Sequence, residues 1–65
     1  MTLEQAAAAL RLSNRRFHAA LTDWEKGVAS FQRVDDAEFE CEMAQRAFIE
    51  AGGSDAAMLA IIDEE

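Results

Sequence analysis

Apolar or small side chains recur at alternating steps of four and three from Leu3 to Phe31, interrupted once at Asn14. This average of about 3.5 residues keeps one stripe of an α-helix, here called the seam, facing a partner helix. The pattern predicts one long N-terminal helix, over about residues 2–33, that packs along its length. The seam positions are Leu3, Ala7, Leu10, Asn14, Phe17, Leu21, Trp24, Val28 and Phe31.

The limits of this helix depend on three local signals. Thr2 is a suitable N-cap, with polar Gln5 in the first turn. Ser13 could cap a separate helix, but the seam keeps its phase across Ser13-Asn14, which favours continuity. Gly27 is the second weak point, and the alternative is a true break there with Ala29-Ser30 beginning the turn.

A column of small residues recurs every seventh position beside the seam. Small side chains allow a neighbouring helix to approach closely, and this is one reason to tolerate a glycine that lowers helix stability by about 1 kcal/mol. The column consists of Ala6, Ser13, Ala20 and Gly27.

The second half of the chain predicts two shorter helices. Asp35 as N-cap with Glu38 three residues later approximates a capping box, so we expect a turn near Val34-Asp35 and a helix over about 36–51. Gly52-Gly53 ends this helix, and Ser54 caps a short third helix over about 54–63. The expected fold is therefore an all-α helical hairpin with a short C-terminal helix, dimerising into a four-helix-type bundle.

Size and cysteine content limit how such a hairpin is stabilised. The 65 residues predict a single small α-helical domain, residues 1–65, of a size that is marginally stable without staples or partners. Cys41 is the only cysteine, which excludes a disulfide within the chain and fits a reducing compartment. The short apolar runs and the acidic start predict a cytoplasmic protein without a membrane span.

The net charge of −7 is unevenly distributed. Residues 1–34 carry five basic and three acidic side chains, whereas residues 35–65 carry one arginine and ten acidic side chains. The acidic half could be a solvated face, could pair with the basic half within a hairpin or dimer, or could engage a basic partner or mimic nucleic acid.

Catalytic and cofactor chemistry find little support in the sequence. His18 is the only histidine, and Cys41 falls on the apolar arc of the second helix without an obvious base. Glu38 and Glu42 are one turn apart, but the Glu-x-x-His pairs of carboxylate-bridged metal bundles are absent. We therefore expect a non-enzymatic protein without a metal or cofactor.

Nucleic-acid binding is the alternative function. Arg11, Arg15 and Arg16 form a small basic cluster with His18, which a symmetric dimer would duplicate. In length and predicted architecture the chain resembles the plasmid copy-number protein Rop, an RNA-binding four-helix dimer, although no sequence motif is shared. The net acidity opposes phosphate binding, so this alternative ranks second.

The prediction is a bacterial or phage protein-interaction module, a small acidic adaptor or inhibitor that binds and regulates a partner. Its format is also similar to secretion-type co-chaperones and to phage inhibitors of host regulators, again in size and shape only. The expected partner is a second copy, a larger protein, or both, and Asn14 could fix the helix register. Predicted interface residues are Leu10, Phe17, Leu21, Trp24, Val28, Phe31, Phe39 and Phe48. Residues predicted to set orientation by charge are Arg11, Arg15, Arg16, Glu38 and Glu42.

Overall fold

The computed structural model describes residues 1–64, which form three α-helices and no strand. Helix α1 spans Leu3–Glu25, α2 spans Phe31–Glu50 and α3 spans Asp55–Ile62. The all-α prediction with three helices is confirmed. Within this stretch, no helix combines the length and the apolar character needed to cross a membrane.

The beginning of α1 follows the sequence signals. The Thr2 hydroxyl accepts the Gln5 N–H at 3.1 Å, and the Gln5 side-chain oxygen accepts the Thr2 N–H at 2.9 Å, which completes a capping box. The helix continues through Ser13 and Asn14, as predicted, and the Ser13 hydroxyl donates to the Leu10 carbonyl at 2.9 Å. Ser13 therefore satisfies its polar group inside the helix and does not begin a new one.

The predicted end of the first helix is wrong. α1 ends at Glu25, not near residue 33, and α2 begins at Phe31, not near residue 36. The turn predicted at Val34-Asp35 consequently lies inside α2. The alternative of a true break at Gly27 is confirmed.

The break is a Schellman motif centred on Gly27, whose φ is +79°. The Gly27 N–H donates to the Trp24 carbonyl at 3.0 Å, and the Val28 N–H donates to the Asp23 carbonyl at 2.9 Å. Only glycine adopts this left-handed conformation without a penalty from Cβ. The helix therefore ends here even though the seam spacing continues.

The start of α2 also corrects the sequence interpretation. Ser30 is its N-cap, in extended conformation, although its side chain makes no capping hydrogen bond. Asp35 and Glu38 both lie within the helix, so the capping box expected there is wrong. Val28 and Phe31 keep the four-and-three spacing across the loop, and for this reason periodicity alone did not reveal it.

α1 and α2 pack as an antiparallel hairpin around two small apolar clusters. Three members of the small-residue column, Ala6, Ser13 and Ala20, are buried at 0%, 7% and 1% exposure, so the column does lie on a packing face. One cluster lies near the turn and comprises Ala20, Val34 and Ala37, with Phe17 and Leu21 against it. The other lies at the open end and comprises Ala6, Leu10, Phe48 and Ile61.

α3 closes the open end of the hairpin. α2 ends in a second Schellman motif at Gly52, with φ +106°, where the Gly53 N–H donates to the Phe48 carbonyl at 3.0 Å. The Ser54 hydroxyl then accepts the Ala57 N–H at 3.1 Å and caps α3, as predicted. The chain folds back over its first helix within extents of 38 × 19 × 15 Å.

Candidate protein-interaction surface

The structure separates the eight residues predicted to form an interface. Leu10 and Phe48 are buried in the chain's own core, at 0% and 3% exposure, and do not reach the outer surface. Phe17 and Leu21 are half-buried against the cluster near the turn. The exposed members are Trp24, Val28, Phe31 and Phe39.

Three of these exposed residues lie at the turn between α1 and α2. Trp24 is 44% exposed, Val28 in the loop 73% and Phe31 61%. The Trp24 and Phe31 rings meet edge to face, with centroids 5.7 Å apart and an interplanar angle of 68°, a favoured aromatic geometry. Together with the half-buried Phe17 and Leu21, these residues form what we call the turn-end surface.

An ion pair and backbone hydrogen bonds stabilise the turn that carries the turn-end surface. The Arg33 guanidinium donates to the Asp23 carboxylate at 2.8 Å, which joins the end of α1 to the beginning of α2. The Schellman hydrogen bonds at Gly27 hold the loop between them. The apolar side chains are therefore presented by an ordered turn.

α3 covers the other half of the seam. Ile61 is buried against Leu10, and Leu3 and Ala7 line a groove beside it. The Asn14 amide donates to the Ile62 carbonyl at 3.3 Å, which ties the end of α3 to the middle of the seam. Buried Asn14 thus bonds within the chain, and α3 does not extend over the seam beyond it, from Phe17 onwards.

Phe39 is not part of the turn-end surface. The helical repeat places it on the outer side of α2, opposite the buried stripe of Val34 and Cys41. Its side chain is 63% exposed, and Met43, one turn later, is 47% exposed. These two residues form a smaller apolar feature, and Phe39 lines one recess with Asp35, Glu38 and Glu42.

The predicted charged residues are divided among different neighbours. Arg11 pairs with Glu64 at 3.0 Å, and Arg16 lies 3.8 Å from Glu40. Both contacts join the basic first half to the acidic second half within one chain. Among residues 1–64, the ion pairs are formed by Arg11, Arg16 and Arg33, and Arg15 takes part in none of them. The basic cluster considered for RNA binding is thus partly engaged by the chain's own carboxylates.

Glu38 and Glu42 lie on α2 beside the turn-end surface. With Asp35 they follow Phe31 at steps of four, three and four, so all share one stripe of the helix. The three ion pairs of the described residues use other carboxylates, namely those of Asp23, Glu40 and Glu64. We call this stripe, which follows Phe31 along α2, the acidic rim of the turn-end surface.

Sequence reasoning missed several exposed apolar residues outside the seam. Leu12 is 46% exposed and lies off the seam, and Ile49 is 41% exposed, seven positions after Glu42 on a stripe that is otherwise polar below Phe31. Ile49 lines a groove of about 580 Å³ between α2 and α3, together with Met58 and Arg46. This groove depends on how α3 folds back, which no local pattern specifies.

The remaining candidate groups have structural surroundings. The His18 ring lies 6.1 Å from that of Phe17. Cys41 is buried, and its sulfur accepts a hydrogen bond from the Gln45 amide at 3.7 Å. Among residues 1–64, no group of three or more His, Cys, Asp and Glu side chains is placed to hold a metal ion.

Comparison of the chain with protein-family models, curated proteins and solved structures found no match.

Proposed function

We propose that this chain is a non-enzymatic protein-interaction module, a small acidic helical-hairpin adaptor or inhibitor that binds and regulates a partner protein. Its docking site is the turn-end surface. The observation that carries the proposal is the exposed group of Trp24, Val28 and Phe31 on one ordered turn.

The composition of this surface favours protein binding. Aromatic residues in a partly desolvated cluster are the side chains that most often dominate binding energy at protein interfaces. Contiguous exposed apolar patches on small proteins commonly mark interaction sites. Phe17 and Leu21 extend the patch towards the core, so a partner would meet a continuous apolar strip, not an isolated ring.

The test compares two phenylalanines on the same helix. Phe31 and Phe39 are 61% and 63% exposed on α2, so Phe31→Ser and Phe39→Ser remove the same side chain from equally solvated positions. Each tagged variant is used as bait in extracts of the native cell, after circular dichroism shows wild-type helicity. We expect Phe31→Ser to lose a specific partner that wild type and Phe39→Ser retain. Equal retention by all three proteins would refute the proposed surface.

Self-association is the second candidate, in the form of a dimer with a four-helix-type bundle. The specific observation in its favour is that two hairpins could cover each other's turn-end surfaces, since α3 leaves that half of each seam open. Sedimentation equilibrium distinguishes it: a dimer that dissociates in Phe31→Ser but not in Phe39→Ser supports this mode. A monomer at all concentrations contradicts it.

A further inference from the structure

We infer that the occupant of the turn-end surface is a basic amphipathic helix of another protein. The inference rests on the proposed function and names the chemistry of the partner. It follows from two independent features: the way in which α3 covers the first half of the seam, and the charge of the rim beside the second half.

α3 shows what kind of element packs on the first half of the seam, because it is a helix of the same chain bound there. It is a helix of eight residues that buries Ile61 against Leu10 and fixes its end by the bond from Asn14 to the Ile62 carbonyl. The same seam continues past Asn14 with the same four-and-three spacing, into Phe17 and Leu21. A second helix with aliphatic residues at i, i+3, i+4 and i+7 would continue the packing that α3 begins.

The acidic rim sets the charge of that helix. Asp35, Glu38 and Glu42 are exposed along the stripe that begins at Phe31, and they lie within the strongly acidic second half of the chain. Lysine or arginine residues flanking the apolar face of the incoming helix would meet these carboxylates. Rim charges of this kind select the partner and accelerate association.

The same charge argues against a second copy as the occupant. Another copy brings its own net charge of −7 to a surface already lined by carboxylates. In a two-fold dimer, each copy presents the same patch, so the acidic rims approach one another as well as the apolar residues. Lys26 in the turn and Arg15 on α1 offer two compensating charges, against three carboxylates on each rim.

The experiment uses two synthetic 16-residue peptides with identical leucine positions and no tryptophan. One carries lysine on its polar face and the other glutamate. Trp24 is the only tryptophan of the chain and belongs to the surface, so its fluorescence reports docking directly. We expect a blue shift and saturable binding with the lysine peptide, in wild type and in Leu12→Ser, whose exposed side chain lies on α1 outside the surface and its rim, and loss of both in Phe31→Ser.

A triple variant, Asp35→Asn, Glu38→Gln and Glu42→Gln, tests the rim separately. The loss of three exposed ion pairs predicts an affinity for the lysine peptide lowered about tenfold, equivalent to about 1.4 kcal/mol. Equal binding of the two peptides, or an unchanged affinity in the triple variant, would overturn the basic-helix inference and leave the docking surface standing. Binding of neither peptide overturns it as well, whether or not the extract experiment finds a partner. A dimer that Phe31→Ser dissociates identifies a second copy as occupant and also overturns it. The proposed function is tested separately, and it fails if partner capture from the extract does not depend on Phe31, whatever the peptides do.

Discussion

Replacement of Leu10 by alanine tests whether the small core at the open end holds the hairpin together. Leu10 has no exposed surface and lies between Ala6 on its own helix, Phe48 on α2 and Ile61 on α3. It is the largest fully buried side chain of the described residues, in a cluster to which all three helices contribute. Its truncation removes apolar contacts that α1 makes with the other two helices.

The expected loss is large for a chain of this size. Truncation of a buried leucine to alanine lowers the free energy of unfolding by about 2–5 kcal/mol. A domain of this length has a total unfolding free energy of about 3–10 kcal/mol. Because α3 is short and can shift to fill part of the space, we expect about 2–4 kcal/mol, which lowers the melting temperature by about 10–25 °C.

Leu12 provides the matched control, because it is the same residue type two positions along the same helix. It is 46% exposed, so Leu12→Ala should change the unfolding free energy by no more than about 0.5 kcal/mol. Urea titrations followed by far-UV circular dichroism measure both variants. A loss below about 1 kcal/mol for Leu10→Ala, or equal losses for the two variants, would refute the packing described here.

Two further changes probe how α3 is attached. A Cβ at Gly53 would overlap the buried Phe48 ring, so Gly53→Ala should lower the unfolding free energy by about 1–3 kcal/mol. In a double-mutant cycle, adding Phe48→Leu to Gly53→Ala should recover part of that loss, and strictly additive effects would contradict the overlap. Asn14→Ala removes the hydrogen bond to the Ile62 carbonyl and should destabilise α3 locally by about 1 kcal/mol, so that amide exchange becomes faster in α3 than in α2. A uniform increase of the exchange rate in both helices would indicate that the hydrogen bond does not act locally.

Local chemistry in the sequence was sufficient to predict the caps and much of the packing face. Thr2 and Ser54 cap their helices because serine and threonine hydroxyls accept the free N–H groups of a first turn. The glycine pair after α2 ends it for an equally local reason. Such signals operate within four residues and need no knowledge of the fold.

The extent of the first helix required information that periodicity does not contain. Trp24, Val28 and Phe31 keep their spacing whether the chain is helical or turned at Gly27. At Gly27 the chain can either continue as helix or adopt the left-handed conformation that turns it back. The turn is favoured because it lets Val34 pack on Ala20. Tertiary packing thus determined the boundary.

The exposure of the seam could not be predicted from periodicity for the same reason. The spacing marks a stripe of α1, but only the position of α3 shows which half of that stripe is covered. Leu10 was expected at an interface with another molecule and is instead buried by Ile61 of the same chain. Contacts between residues 51 positions apart in sequence leave no local signature.

Site-specific photo-crosslinking shows whether the turn-end surface binds a protein. A photoreactive phenylalanine analogue is placed at Val28 in the loop or, as control, at Phe39 on the outer side of α2, both strongly exposed positions. After irradiation in the native cell, we expect one discrete protein adduct from position 28 and none of that mass from position 39. Equal adducts from both positions, or no protein adduct from position 28, would contradict it.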